Sequence, residues 1–403
     1  MGEGVIRIIV RVRQINELIL KNISLMFLLL GALSNFLLIL FLRKDFPDIF
    51  TPLSLYLTYL GIIGGFGFLG FDQVYLRLVT LDTPKPSIGS NVYVLLVALM
   101  LLTPIGFASY FARYEHLNFW QLYISGVSIN AIILGYNANR LKQEFSIAQG
   151  IKNSFKVFFL IGACWKLLVI KNNIEISSLF FQASILLLFC GGVSFISFLR
   201  NTQVNKNSSS GITWFAISFG LNIALITVLG YGERILIADK INEETFATYF
   251  YYLTIFLFPL TLLQEYVGFK ELVYFKEKVD KAKVYSKIVQ LIGLGIVTYL
   301  AILLVVWIDN GRFLNVNLAN DYILIAWMSL LGLVKLVYSL FSAILGARGK
   351  TKGINTINIM TALLIGVLWF SLYLLGYSLI GIVISLILVF LYRSVHTYIL
   401  YVR

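Results

Sequence analysis

Thiolate and imidazole, the ligands that zinc and other transition metals favour, are scarce: this chain of 403 residues has two cysteines and two histidines. Charge is scarce too: 13% of residues are Asp, Glu, Lys or Arg, against 59% hydrophobic ones. Six prolines leave few interruptions to helix, and no polar stretch is long enough to fold as a separate soluble domain. These shortages exclude a disulfide-stapled secreted fold, and they exclude a soluble catalytic domain between apolar segments.

Hydrocarbon is what the chain has in abundance, with a mean hydropathy of +0.87. A helix that crosses a bilayer needs about 20 mostly apolar residues, and runs of that length recur from end to end. Spans are predicted at 23–42, 52–70, 91–112, 118–137, 154–171, 176–199, 212–236, 246–265, 287–308, 322–346, 355–376 and 378–398. The expected fold class is an all-α polytopic membrane protein of about twelve transmembrane helices. The N-terminal basic residues precede an apolar run too long for a signal peptide, with no small-residue cleavage site after Leu42, so this segment is read as retained. Residues 1–22 are assigned to the cytoplasmic side, either as a basic amphipathic helix on the membrane surface or as a frayed tail.

Lysines and arginines set the orientation, because cytoplasmic links retain them during insertion. With the N-terminus inside, the inner segments hold Arg7, Arg11, Arg140, Lys142, Lys276, Lys281, Arg348, Lys350 and Arg393 among others, and the outer ones far fewer. Both termini are therefore expected in the cytoplasm. The formal net charge of +13 then reflects this bias and an attraction to anionic membrane lipids, with no nucleic-acid partner implied.

An internal repeat is visible. The stretch "RKDFPDIFTPLSLYLTYL" is echoed 196 residues later by "DKINEETFATYFYYLTIF", matching Lys44 to Lys240, Phe50 to Phe246 and Tyr56-Leu57-Thr58 to Tyr252-Leu253-Thr254. Six spans separate the copies, and an even number keeps both halves in one orientation, so two parallel six-helix bundles are expected. The corresponding lobes are 23–205 and 206–403.

These stretches, the pair Glu233-Arg234 closing span seven, Tyr249, and the ending "LGARGKTKGINTINIMTALLIGVLWF" resemble the Wzx-type polysaccharide (O-antigen) flippases of the MOP superfamily. Ala247-Thr248 departs from the glycine usual in that family before the tyrosine. The resemblance implies a MATE-like fold around a central cavity in a bacterial plasma (inner) membrane. It also implies transport, with no enzymatic activity, of undecaprenyl-diphosphate-linked oligosaccharide from the inner to the outer leaflet for O-antigen or capsule synthesis. Expected partners are that lipid-linked oligosaccharide, a polysaccharide polymerase and a chain-length regulator. No bound cofactor is implied, and a proton or ion gradient is the available drive, although no coupling site stands out.

A cavity that accepts a dianionic headgroup must be wet and positive, which draws attention to "LLGLVKLVYSLFSAILG" and its single lysine. A charge at mid-membrane costs roughly 2.5 to 3.5 kcal/mol on insertion scales, so Lys335 must face something polar. At helical spacing Gly332, Lys335, Ser339, Ser342 and Gly346 share one face, whereas Val334, Val337, Phe341 and Ile344 take the other. Lys335 is assigned to the cavity, against the alternative that it only ties two helices together. Ser339, Ser342, Arg234, Asn35 and Asn222 are the other substrate-contact candidates. Glu233, Asp72, Arg77 and Lys166 are candidates for gating or coupling. The amides Asn35, Asn130, Asn137, Gln182, Asn222 and Asn358 could hydrogen-bond sugars, but each reads more naturally as interhelical glue.

The glycines of "GGFGFLG" spell a dinucleotide fingerprint but lie inside a span, where they read as a packing face or hinge. Two other functions compete with the flippase. A cation-coupled exporter of small molecules would need a deep carboxylate, and the predicted boundaries leave all nineteen acids at span ends or in links. An O-antigen polymerase or ligase would carry a large outer loop, and the outer links here are short.

Overall fold

The computed structural model describes residues 2–78, 87–142, 144–167, 176–205, 212–277, 279–314, 316 and 318–402; the side chains of 2–22, 25, 73, 74, 77, 78, 212–216, 219, 265, 266, 268–270, 272–274, 276, 277 and 319 lie outside the described residues. Helix α1 runs Gly2–Asp45, α2 Pro47–Phe66 and α3 Phe71–Leu78, followed by α4 (Ser90–Phe111), α5 (Phe119–Leu141), α6 (Phe145–Trp165) and α7 (Ile176–Asn201). Helix α8 (Ile212–Thr227) passes through a π-helical turn, Val228–Gly232, into α9 (Glu233–Lys240). Helix α10 (Glu243–Tyr252) continues in the same way through Leu253–Leu257 into α11 (Phe258–Glu277). The chain ends with α12 (Lys281–Asp309), α13 (Leu318–Arg348), α14 (Thr351–Leu375) and α15 (Leu379–Tyr401). Each predicted span coincides with helix over most of its described residues; the span predicted at 52–70 stops short at Phe66, and residues 168–171 of the span predicted at 154–171 lie outside the described residues. One addition was not foreseen: β1 (Ser87–Gly89) pairs in parallel with β2 (Gln203–Asn205), strands too short to leave a period in the sequence.

Ten helical stretches among the described residues are long and apolar enough to cross a membrane. Helices α5 and α6 are long enough but not apolar enough, and for α5 the reason is internal. Its polar side chains Ser125, Ser128, Asn130, Asn137 and Asn139 are buried inside the protein, so they never meet lipid. Asn130 illustrates how such groups are satisfied. Pro104 in α4 has no N–H to give the Met100 carbonyl one turn earlier, and Asn130 Nδ2 donates to that carbonyl instead, at 3.3 Å. Gly67, from the glycine-rich run, lies so close to Asn130 that a Cβ there would overlap the amide oxygen. Leu69 and Gly70 take positive φ of 49° and 86°, which ends the helical run beyond α2. Helix α12 shows the opposite design. It leaves Val289, Val297, Leu300, Leu304, Val305 and Trp307 exposed, as a lipid-facing surface requires.

The chain forms two compact units: residues 1–38 with 55–216, and residues 39–54 with 217–403. Each has its own core. In the first, Leu96, Met100, Leu134, Ala138 and Phe198 pack around Tyr75 and Phe68. In the second, Leu260, Phe275, Val284, Leu336, Leu340 and Ile344 join α11, α12 and α13.

The repeat can be followed into the hydrogen bonds of each unit. Within the first, the Tyr56 hydroxyl pairs with Ser125 Oγ at 2.7 Å. Within the second, the Tyr252 hydroxyl donates to the Asp321 carboxylate. Both partners lie 69 residues beyond their tyrosines, so the 196-residue offset carries the first pair onto the second. In that register Lys335 of α13 occupies the place of Asn139 of α5. Asn139 is buried and donates to the Gly135 carbonyl and to Ser197 Oγ.

Candidate functional site

Helix α13 presents the predicted stripe largely as expected. Lys335, Ser339, Ser342 and Gly346 are all partly exposed, whereas Val334, Phe341 and Ile344 are buried. Gly332 departs from the stripe: it is buried, and a Cβ on it would press on Leu260. Val337 is partly buried like the polar face. Ser339 Oγ is turned back onto its own helix, donating to the Leu336 carbonyl at 2.6 Å. Lys335 lies near the middle of α13. Its ammonium stands 5.2 Å from the centroid of the Phe390 ring on α15, close enough for a cation–π attraction.

Glu233 and Arg234 come to Lys335 from α9, and both are within Coulombic reach of it. The expectation that every acid sits at a span end or in a link is thereby corrected. Glu233 is 1% exposed and lies inside the membrane-competent stretch Gly220–Lys240. The π-helical turn just before it contains Gly230 and Gly232 and shifts the phase of the helix, which aims Glu233 inward. Neither carboxylate oxygen has a hydrogen-bond partner; the nearest cationic atom is Arg234 Nε, 3.6 Å from Oε1. The Arg234 guanidinium lies over two rings, Tyr231 at 4.8 Å and Phe250 at 5.2 Å. Tyr249 is fully buried beside this pair, and its hydroxyl has no partner.

A second buried cation escaped the sequence reading, which had counted Arg393 among the inner-side charges. In the structure Arg393 is 0% exposed, and α15 continues past it to Tyr401. Its guanidinium donates from Nε to the Tyr338 hydroxyl (2.9 Å), from Nη1 to Thr361 Oγ1 (3.2 Å) and from Nη2 to Asn222 Oδ1 (2.7 Å). All three partners are neutral. Asn222, a predicted substrate contact, is thus occupied by Arg393. The only sequence signal was an arginine directly before the polar residues Ser394, His396 and Thr397, which looks like a span end.

The remaining predicted residues do not join this cluster. Asn35 is partly buried on α1 and belongs to the first unit, as do Asp72 on α3 and Lys166 at the end of α6. Arg77 also lies on α3, its side chain outside the described residues. The amides behave as packing groups: Asn130 bonds the Met100 carbonyl, and Asn358 donates to the Ser218 carbonyl at 3.2 Å. Cys164 and Cys190 are free thiols, and no three His, Cys, Asp or Glu side chains among the described residues gather as metal ligands would.

The second unit therefore gathers Arg234 and Lys335 around the buried carboxylate Glu233 and holds Arg393 on neutral partners, while the other buried carboxylate among its described residues, Glu271, is paired with Lys287. Such an arrangement attracts an anion. It also leaves Glu233 able to act as a resident counter-ion or to take up a proton or a cation.

No protein-family model matches the chain, and no curated protein resembles it in sequence. In structure it is similar to a multidrug resistance MATE family transporter of the MOP superfamily, solved in an outward-facing conformation. The TM-score is 0.56 at 10% identity, over 94% of this chain and 91% of that one. The chain thus has the fold of a MOP-superfamily transporter and is a multi-pass membrane protein.

Proposed function

We propose that this protein is a flippase that carries undecaprenyl-diphosphate-linked oligosaccharide repeat units across a bacterial inner membrane by alternating access. The observation that carries the reading is the excess of positive charge inside the second unit, where Lys335 and Arg234 face one carboxylate. A diphosphate headgroup needs such charge where water is scarce, because an anion pairs best with fixed donors in a low dielectric. The partly exposed serines beyond Lys335 supply hydroxyls for the sugars. Arg234, whose side chain is 19% exposed, is the second headgroup ligand. The transporter fold is the setting that this work requires.

A second reading, a cation-coupled exporter of small molecules, gains from Glu233, whose burial supplies the deep carboxylate such a protein needs. In the flippase the same carboxylate is the site at which a proton or ion gradient acts. Neither reading needs a bound cofactor or gives the protein an enzymatic step. A polymerase and a chain-length regulator are the expected protein partners on the outer side, and both termini are assigned to the cytoplasm.

Deleting the protein tests the choice. Accumulation of one complete lipid-linked repeat unit in the inner leaflet, cured by the wild type and not by Lys335→Ala, supports the flippase. Energised efflux of a cationic dye that depends on Glu233 and not on Lys335 supports the exporter. Translocated but unpolymerised units on the outer surface would overturn both in favour of a membrane enzyme.

A further inference from the structure

The cations of the second unit are joined by aromatic rings. From Lys335 the contact passes to the Phe390 ring, which packs on Tyr338 at 5.1 Å between centroids, and Tyr338 lies 5.6 Å from the Arg393 guanidinium. In the other direction Arg234 stands 5.2 Å from Phe250, and Phe250 meets Phe50 edge to face at 6.3 Å. Phe50 in turn lies 5.4 Å from the Arg43 guanidinium. Arg43 is in the last turn of α1, and the segment 39–54 belongs to this same unit. Arg393, Lys335 with Arg234, and Arg43 are thus three successive positive stations separated by pairs of rings. Along its own helix Arg393 is ~12 Å from the end of α15, and Lys335 is ~20 Å from the end of α13, at the helical rise per residue.

We propose that this column is a ladder for the anionic headgroup, and that Arg393 and Arg43 are phosphate-binding stations on either side of the central one. The inference rests on the flippase reading and adds two sites to it. Arg393 is the stronger of the two. A fully buried guanidinium with no carboxylate partner among the described residues is costly in a membrane protein, and a phosphate would compensate the charge that Tyr338, Thr361 and Asn222 do not. Those neutral oxygens hold the guanidinium when the station is empty, and phosphate oxygens accept the same hydrogen bonds more strongly because they are charged. Thr397, one turn further along the same face of α15, is buried with a hydroxyl that has no partner, and it adds a donor there.

Movement along the ladder needs each station to bind without trapping, which is how multi-site pathways conduct. At the centre, Glu233 is the resident anion that Lys335 and Arg234 return to once the headgroup has left. At Arg43 the neighbouring tyrosines Tyr251 and Tyr252 also sense Asp309 and Asp321, respectively. Those acids weaken an anion's hold there and favour its release.

The test uses the purified full-length protein in lipid nanodiscs, with inorganic pyrophosphate as the probe and calorimetric titration as the readout. Arg393→Gln keeps amide donors for the hub and removes the charge; Arg393→Lys keeps the charge; Arg43→Gln alters a helix end that is only partly buried. Expected are about tenfold weaker pyrophosphate binding in Arg393→Gln and Arg43→Gln, with Arg393→Lys near wild type, and melting temperatures within a few degrees of each other. Wild-type affinity in both Gln variants would overturn the ladder, and if Lys335→Ala still lost binding the flippase reading would stand. Absence of binding by the wild type would overturn both. If Arg393→Gln does not fold, Arg393→Lys and Arg43→Gln decide: weakening confined to the variant that lost its charge supports the ladder, and equal weakening in both overturns it.

Discussion

Replacing Glu233 by Gln tests the electrostatics of the second unit directly, because the two side chains have the same shape and differ in charge. At the 3.6 Å separation from Arg234 Nε, and at an effective dielectric near 20, the carboxylate gains roughly 4 to 5 kcal/mol of attraction before its desolvation is counted. Burial takes back most of that. Removing one partner of a buried pair nevertheless costs on the order of 3 kcal/mol, because the other charge is left alone. Glu233→Gln is expected to lose about that much, as both Arg234 and Lys335 then lack an anion. Lys335→Met should cost less, about 1 kcal/mol, since Glu233 keeps Arg234. In the double variant only Arg234 remains uncompensated, so the losses should fall short of their sum by at least about 1 kcal/mol. Reversible unfolding in mixed micelles measures all three. Losses that add to within about 0.5 kcal/mol would show that Glu233 and Lys335 do not interact, and the picture of a resident counter-ion would be wrong.

Two further substitutions probe the scaffold, and one labelling experiment probes its orientation. Gly67→Ala should destabilise the first unit by about 2 kcal/mol, since its methyl overlaps both the Asn130 amide and the Ile63 carbonyl, and thermal unfolding should show that Asn130→Ala in the same chain relieves only part of the loss. Tyr56→Phe should cost about 1 kcal/mol for a neutral hydrogen bond and Tyr252→Phe about 2 for one to a carboxylate. Equal losses would contradict the pairing with Asp321. Single cysteines placed at 241 and 281 should be labelled from outside and inside, respectively; the reverse would invert the orientation.

Much of the architecture was legible because apolar periodicity and span length are local. Over their described residues the twelve predicted spans coincide largely with helices, α5 among them although its apolarity is low. The polar stripe of α13 was legible for the same reason: Lys335, Ser339 and Ser342 are related by helical spacing alone. Arg393 and Glu233 were misplaced because their environments are set by other segments. Glu233 stands next to Arg234 in sequence and looks like a helix-end pair, and nothing local signals the π-helical turn that carries it inward. Arg393 sits among polar residues like those of a span end, while the groups that satisfy it come from α8, α13 and α14. Asn222 was singled out for a substrate role from its type alone, and its actual partner is 171 residues away.

The repeat itself supplies the most economical variant of the central lysine. Its counterpart Asn139 is buried at the same register, held by the Gly135 carbonyl and Ser197 Oγ. An amide is therefore a side chain that this helix pairing can house. Lys335→Asn should insert and fold with a melting temperature close to the wild type. The loss of attraction to Glu233 is partly offset because one cation fewer is carried into the membrane, and Arg234 remains 3.6 Å from the carboxylate. Transport should nonetheless fall by at least tenfold, because the first unit, with an amide at this place, lacks the charge that an anionic headgroup requires. Flipping of a fluorescent diphosphate lipid in proteoliposomes, followed by quenching from outside, measures this. Wild-type flipping by Lys335→Asn would mean that the two halves of the repeat are functionally interchangeable at this position, and that the positive charge of the second unit serves its packing and not its cargo.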